Sequence, residues 1–178
     1  VIVTCRASWE GGHFRGSEDE RRRLLRAALD AGAEFVDVEW KAGFTDVLEA
    51  TGGRRVIVSS HEFGHVPADL PARAQAMRAT GAEVVKIAVT VGRLSDCLPL
   101  RALGASLEGS GPAVIIGMGD AGLLTRVHPG AFHSAWTYAG DVRSVGQVSA
   151  STLIHGYRFR SISERTALYG LVGLPVGH

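Results

Sequence analysis

Val84-Val85-Lys86-Ile87-Ala88-Val89 is an apolar, β-branched run with a lysine inside it. A run of this kind fits a strand of a parallel sheet buried on both faces. Similar runs recur at 1–6, 34–39, 55–60, 113–118 and about 134–139. Helical patterns fill the gaps. Ser17-Glu18-Asp19-Glu20 is a capping box, Leu24, Leu25, Ala28 and Leu29 mark one helical face, and Gly32 is a stop signal. Weaker helices are expected over 43–51, 67–80, 93–104 and 120–128, with Pro71 and Pro99 limiting two of them. A last helix is expected over 148–158, followed by a polar linker over 159–169. Alternating strands and helices imply an α/β fold with a parallel sheet, either a barrel or an open doubly wound sheet. Six strands are too few for an eight-stranded barrel, so a barrel reading needs about two further units upstream.

Bulk properties narrow the function classes. The chain has 178 residues, 46% of them hydrophobic, and a net charge of +1. It can bury a core of its own. Near-neutrality gives no electrostatic reason to expect nucleic acid or an anionic membrane as partner, so attraction for an acidic substrate must come from local arginines. Cys5 and Cys97 lie far apart and form no CxxC pair, which suits a reducing cytoplasm and argues against a zinc ribbon. No apolar run approaches the roughly 20 residues of a membrane span. The chain opens on a strand and stops at a second apolar, Gly-rich start, Gly170-Leu171-Val172-Gly173-Leu174-Pro175-Val176-Gly177-His178, so both ends read as cut from something longer.

Side chains alternate along a strand. Counting by two places Arg6 with Ile2 and Thr4, Glu39 with Phe35 and Asp37, and His61 with Ile57 and Ser59. The same count places Lys86 with Val84 and Ala88, and Met118 with Val114 and Ile116. Most of these polar or reactive residues close their runs at the C-terminal end, the edge where parallel α/β folds build active sites. Lys86 stands inside its run, where desolvation can turn a lysine into an amine nucleophile for a ketone; the alternative is a lysine that snorkels out or pairs with Asp37 or Glu39. His61 with a carboxylate such as Glu39 beside it would make a general base, although a structural histidine fits the same spacing. Two motifs compete. His61-Glu62-Phe63-Gly64-His65 matches the HExxH zinc pattern but follows a strand and contains Gly64, so it lacks the required helix. Gly117-Met118-Gly119-Asp120-Ala121-Gly122 matches GxGxxG, yet the acidic partner of a dinucleotide site, Asp141, follows a loop and an aromatic run.

Taken in order, Val3-Thr4-Cys5-Arg6 with Glu10-Gly11-Gly12, Val36-Asp37-Val38-Glu39, Ser59-Ser60-His61-Glu62-Phe63 and Val84-Val85-Lys86-Ile87-Ala88 resemble type I 3-dehydroquinate dehydratase. So do Gly117-Met118-Gly119 through Arg126, Trp136-Thr137-Tyr138-Ala139 and Gly146-Gln147. The resemblance implies a (β/α)8 TIM-type barrel, present here as about six of eight units over 1–158. It implies dehydration of 3-dehydroquinate to 3-dehydroshikimate in the shikimate pathway, with no metal or cofactor, and a homodimer. Lys86 matches the imine-forming lysine, His61 the proton shuttle and Glu39 the carboxylate that orients it. Arg6, Arg126 and Gln147 match substrate-binding positions, Arg126 as a carboxylate clamp, while Met118 and Tyr138 match pocket walls. Two departures stand out: the first two units, with a Glu-x-Arg motif, are absent, and the lid reads Arg143-Ser144-Val145-Gly146-Gln147 where the family has Ser-Ala-Pro-Gly-Gln. The segment 170–178 looks like the opening of shikimate dehydrogenase, implying a fusion. A class I aldolase, which would cleave a carbon–carbon bond, and a non-catalytic remnant are the competing readings.

Overall fold

A computed structural model describes residues 1–163 and 165–166. Five strands, β1 (Ile2–Thr4), β2 (Phe35–Glu39), β3 (Val56–Glu62), β4 (Val84–Thr90) and β5 (Ala113–Met118), form one parallel sheet in the order β1-β2-β3-β4-β5. The helices between and after them are α1 (Glu18–Asp30), α2 (Thr45–Thr51), α3 (Leu70–Arg78), α4 (Cys97–Ser106) and α5 (Leu123–Val127). The capping box at Ser17 is formed in both directions, Ser17 Oγ accepting from the Glu20 amide and the Glu20 carboxylate from the Ser17 amide. Pro99 is the third residue of α4, where a missing N–H has no intrahelical partner to lose. The preceding residues Leu94–Asp96 form a 3-10 turn instead of helix.

The topology separates the two architectures that composition left open. Strands adjacent in the sheet are consecutive in sequence, whereas a doubly wound sheet reverses its order at a switch point. The two faces of the sheet also differ. Val36, Val38, Val58, Val85, Ile87 and Ile115 pack against Leu25, Leu29, Val47, Met77, Leu100 and Leu103 from α1 to α4. The opposite face gathers Ile57, Val84, Ala88, Val114, Ile116 and Met118 with Ile2, Phe35, Trp136, Tyr138 and Val145, and no residue of α1–α5 joins it. Helices on one side and an inner side-chain layer on the other are the arrangement of a TIM-type barrel wall. The wall is open over the described residues, with β1 and β5 at its edges. Each fully buried Leu or Ile of the outer layer contributes about 1.5–3 kcal/mol. No helix of the described residues is long and apolar enough to cross a membrane.

Two expectations are corrected. The run at 134–139 is not a sixth strand. Ala135 donates its amide to the Ala113 carbonyl (2.8 Å), but beside Ile115 the Ser134 hydroxyl takes over, accepting from the Ile115 amide (2.8 Å) and donating to its carbonyl (3.3 Å). A side chain thus satisfies the edge that a ladder would use, leaving five strands where six were expected. The helix expected over 148–158 is reduced to a short π-type turn, Thr152–Gly156, and the linker region contains a 3-10 turn at Phe159–Ser161. The dehydrogenase-like segment 170–178 lies outside the described residues. The GxGxxG glycines have a packing role: a Cβ on Gly122 would sit 2.2 Å from the Gly117 carbonyl oxygen, so α5 can approach β5 only without one.

Candidate active site

The inner layer ends in a cavity of about 560 Å³ lined by Arg6, Glu10, His61, Lys86, Met118, Arg126, Tyr138 and Gln147, among others. Register explains much of the convergence. Glu39 is level with Ser59, and Ser59 with Lys86, so three neighbouring strands present their inward side chains at one height. Lys86 is nearly buried, its Nζ donating to Asp37 Oδ2 at 2.9 Å and lying 4.7 Å from the centre of the Tyr138 ring. That ring face adds a cation–π contact. Burial pushes the Tyr138 phenol up to about 12, so it stays protonated. Asp37 is fully buried, which by itself would raise its carboxyl. Lys86, Arg6 and the Ser59 hydroxyl (2.5 Å) outweigh that and hold it well below the usual carboxylate range.

Arg6 joins the carboxylates. It donates to Glu39 Oε1 (2.9 Å) and Ser59 Oγ (2.8 Å), pairs with Asp37 Oδ1 (2.8 Å), and has Glu10 Oε2 at 3.7 Å. His61 Nδ1 lies 2.9 Å from Glu10 Oε2. An ionised carboxylate only accepts, so Nδ1 carries the hydrogen and Nε2 keeps its lone pair. Burial lowers the His61 pKa below the ordinary imidazole value; the Glu10 hydrogen bond opposes this, and Lys86 and Arg6 reinforce it. The ring is therefore neutral and basic near pH 7.

Glu39 is not the partner of His61, which corrects the sequence expectation. Its oxygens are taken by Arg6, by the Ala7 amide (3.0 Å) and by Arg21 of α1, and it does not line the cavity. Glu10 holds the histidine instead. It sits beyond β1 in the 3-10 turn Ser8–Glu10, where strand alternation no longer applies, and the signal available was an acid preceding Gly11-Gly12 at a strand's C-terminal end. Arg21 was also missed. It is fully buried one turn ahead of Leu25 and Leu29, and the 21/25/29 spacing places it on the core face of α1.

On the opposite wall, buried Arg126 donates to the Val145 carbonyl (2.7 Å) while its Nε has no partner among the described residues. Burial lowers its pKa, yet a guanidinium stays charged in a protein. A buried cation with an unused donor on a cavity wall is suited to an anion. Gln147 lines the cavity and accepts from the Val142 amide (3.2 Å), bracing the loop through Arg143–Val145. Arg143 and Ser144 are exposed and outside the cavity lining, whereas Val142 and Val145 are part of it. His61 and Glu62 are the last two residues of a strand, so the helical HExxH geometry does not exist.

A family model described as type I 3-dehydroquinase matches residues 1–164. The chain belongs to that family. A bifunctional 3-dehydroquinate dehydratase/shikimate dehydrogenase of Arabidopsis thaliana chloroplasts is 33% identical over 189 residues, covering 100% of the chain and 31% of the relative. The 3-dehydroquinate dehydratase of Methanothermobacter thermautotrophicus is 40% identical over 141 residues, covering 78% of the chain and 62% of that protein. The crystal structure of a type I 3-dehydroquinate dehydratase from Clostridium difficile, solved with covalently modified comenic acid, superposes with a TM-score of 0.77 at 26% identity, over 91% of this chain and 69% of that one. The chain thus spans 31% and 62% of the length of these two curated relatives.

The Asp37 geometry fixes a stability prediction for this 3-dehydroquinase-family chain. Asp37→Asn leaves Lys86 and Arg6 short of a buried counter-charge and should cost about 3 kcal/mol or more at pH 7. Because the folded carboxyl is depressed, the contribution is complete above about pH 5 and fades as pH falls toward the folded value. Urea unfolding of parent and variant across that range should show the gap narrowing on acidification; a gap independent of pH would contradict it.

Proposed function

We propose that the chain dehydrates 3-dehydroquinate to 3-dehydroshikimate through an imine on Lys86, as part of the shikimate pathway. The observation that carries this reading is the juxtaposition, in one cavity, of a buried lysine on Asp37, a neutral histidine on Glu10 and a buried arginine whose Nε has no partner among the described residues. Arg126 pairs with the substrate carboxylate and orients the ring. Lys86, once it has given up a proton, attacks the ketone carbon, and loss of water yields the protonated imine. Asp37 at 2.9 Å and the Tyr138 ring offset that positive charge. The imine draws electrons from the adjacent C–H bond, and His61 Nε2 takes the proton as the enamine forms. The resulting imidazolium, stabilised by Glu10, returns a proton to the departing hydroxyl, which leaves as water while the new double bond forms. Hydrolysis of the conjugated imine frees the product and restores Lys86. Met118 forms part of the pocket wall, and Gln147 keeps the lid loop against the site.

The relatives named as 3-dehydroquinate dehydratases support this substrate over the sugar phosphates of an aldolase. On the same reading the parent polypeptide continues into a shikimate dehydrogenase-like domain. The alignment with the bifunctional Arabidopsis protein covers the whole chain, including the dehydrogenase-like 170–178. A reading frame that stops at His178 would contradict the fusion.

Lys86→Ala should abolish formation of the conjugated enone, followed by ultraviolet absorbance with 3-dehydroquinate. His61→Ala should slow it by roughly 10²–10⁴-fold while an imine adduct still accumulates by intact mass. Normal turnover in Lys86→Ala would remove the imine mechanism, and an unchanged rate in His61→Ala would exclude it as the shuttle.

A further inference from the structure

Two fully buried residues that never reach the cavity remain without a role: Arg21 on α1 and Glu39 at the end of β2. Buried ion pairs contribute little net stability against apolar packing of the same volume, so their position relative to the site is informative. We propose that Arg21 and Glu39 are positioning residues for the Glu10–His61 pair, acting through the backbone of Ala7.

The connections are continuous. Arg21 Nη1 binds Glu39 and also donates to the Cys5 carbonyl (3.2 Å), while its Nη2 pairs with Glu18 Oε2 at 2.5 Å. Its guanidinium lies 4.7 Å from the Phe44 ring centre, which fixes its plane from the other side. Glu39, with one oxygen on Arg21, accepts on the other from Arg6 Nη1 (2.9 Å) and the Ala7 amide (3.0 Å). Ala7 is the pivot of the turn that follows. Its carbonyl accepts from the Glu10 amide (3.1 Å) and from the Gly12 amide (2.8 Å). Gly12 permits this closure because a Cβ there would sit 1.9 Å from the Arg6 carbonyl oxygen. The N–H of Ala7 is thus held by Glu39 and its C=O by the turn whose Glu10 grips His61 at 2.9 Å. Helix α1 is thereby coupled to the orientation of the histidine without touching it.

The charged groups around His61 are Glu10, Lys86, Arg6 and Asp37. Burial and the two cations oppose the imidazolium, and Glu10 and Asp37 favour it, so slackening the turn should weaken the Glu10 contact and let the His61 pKa fall further. The proposal rests on the functional reading above for its kinetic arm only. The test is an NMR titration of His61 in the full chain, comparing Arg21→Met, Arg21→Lys, Glu39→Gln and Glu10→Gln, with pH profiles of kcat/KM on 3-dehydroquinate alongside. Arg21→Met and Glu39→Gln should move the His61 titration and the acid limb of the profile to lower pH, as Glu10→Gln does. In both, kcat should drop by roughly tenfold or more with KM changed less than about twofold. Arg21→Lys should recover most of the effect. The shift caused by Arg21→Met should vanish in a Glu10→Gln background, since both act on one contact.

A titration and limb that stay in place, or an Arg21→Met effect that simply adds to that of Glu10→Gln, would reduce the pair to a stability device and overturn the proposal. If Arg21→Met does not fold by circular dichroism, Glu39→Gln carries the same comparison. A chain that turns over no 3-dehydroquinate, yet whose His61 titration moves as described, would contradict the functional reading and leave the positioning supported.

Discussion

The Asp37 carboxylate is shared between Lys86 Nζ on one oxygen and Arg6 on the other, with the Ser59 hydroxyl on the Arg6 side. A carboxylate with no solvent contact would be neutral if it stood alone. The two cations keep it charged, and it in turn allows two positive groups to stand in an otherwise apolar wall. Arg6 then reaches Glu39, and Glu39 reaches Arg21, so that three carboxylates, Glu10, Asp37 and Glu39, alternate with three cations. Removing any one member strands a charge where water cannot compensate it. The inner end of the sheet is therefore set by a charge lattice, while its outer face is set by aliphatic packing.

This division suits the chemistry proposed for the site. An imine-forming lysine needs a fixed position and a counter-charge for the cation it becomes, and Asp37 supplies both. A proton shuttle needs a defined tautomer and a free nitrogen lone pair; Glu10 fixes the tautomer of His61, while burial lowers its pKa against the Glu10 hydrogen bond. Arg126 is kept apart from the lattice, bound among the described residues to the lid carbonyl of Val145, with its Nε left for an anion. The cavity thus combines these polar groups with an apolar lining from Ala88, Ile116 and Met118.

Much of this was legible from alternation alone. Period two assigned Lys86, His61 and Met118 to the inner face because a pleated strand leaves no other choice. Tyr138, which the family resemblance matched to a pocket wall, does sit in the inner layer, together with Trp136, even though 134–139 forms no ladder. Backbone pairing there was not legible, since it turns on one serine hydroxyl that satisfies the edge. Parity also misled. Glu39 has the correct parity for the site, but Arg21, arriving from α1, captures its side chain, and no rule within β2 foresees a partner on another element. Glu10 escaped because it lies past the strand end, in a turn whose direction depends on Ala7 and Gly12. The choice between barrel wall and doubly wound sheet needed strand order, which composition does not encode.

The sequence contains two lysines, Lys41 and Lys86, and Lys41 is exposed on the turn Trp40–Ala42, outside the cavity lining. Borohydride reduction of the chain mixed with 3-dehydroquinate, followed by intact mass and peptide mapping, therefore carries its own control. The account predicts one adduct per chain, on Lys86 and not on Lys41. No adduct, or labelling of Lys41 at the same rate, would contradict it.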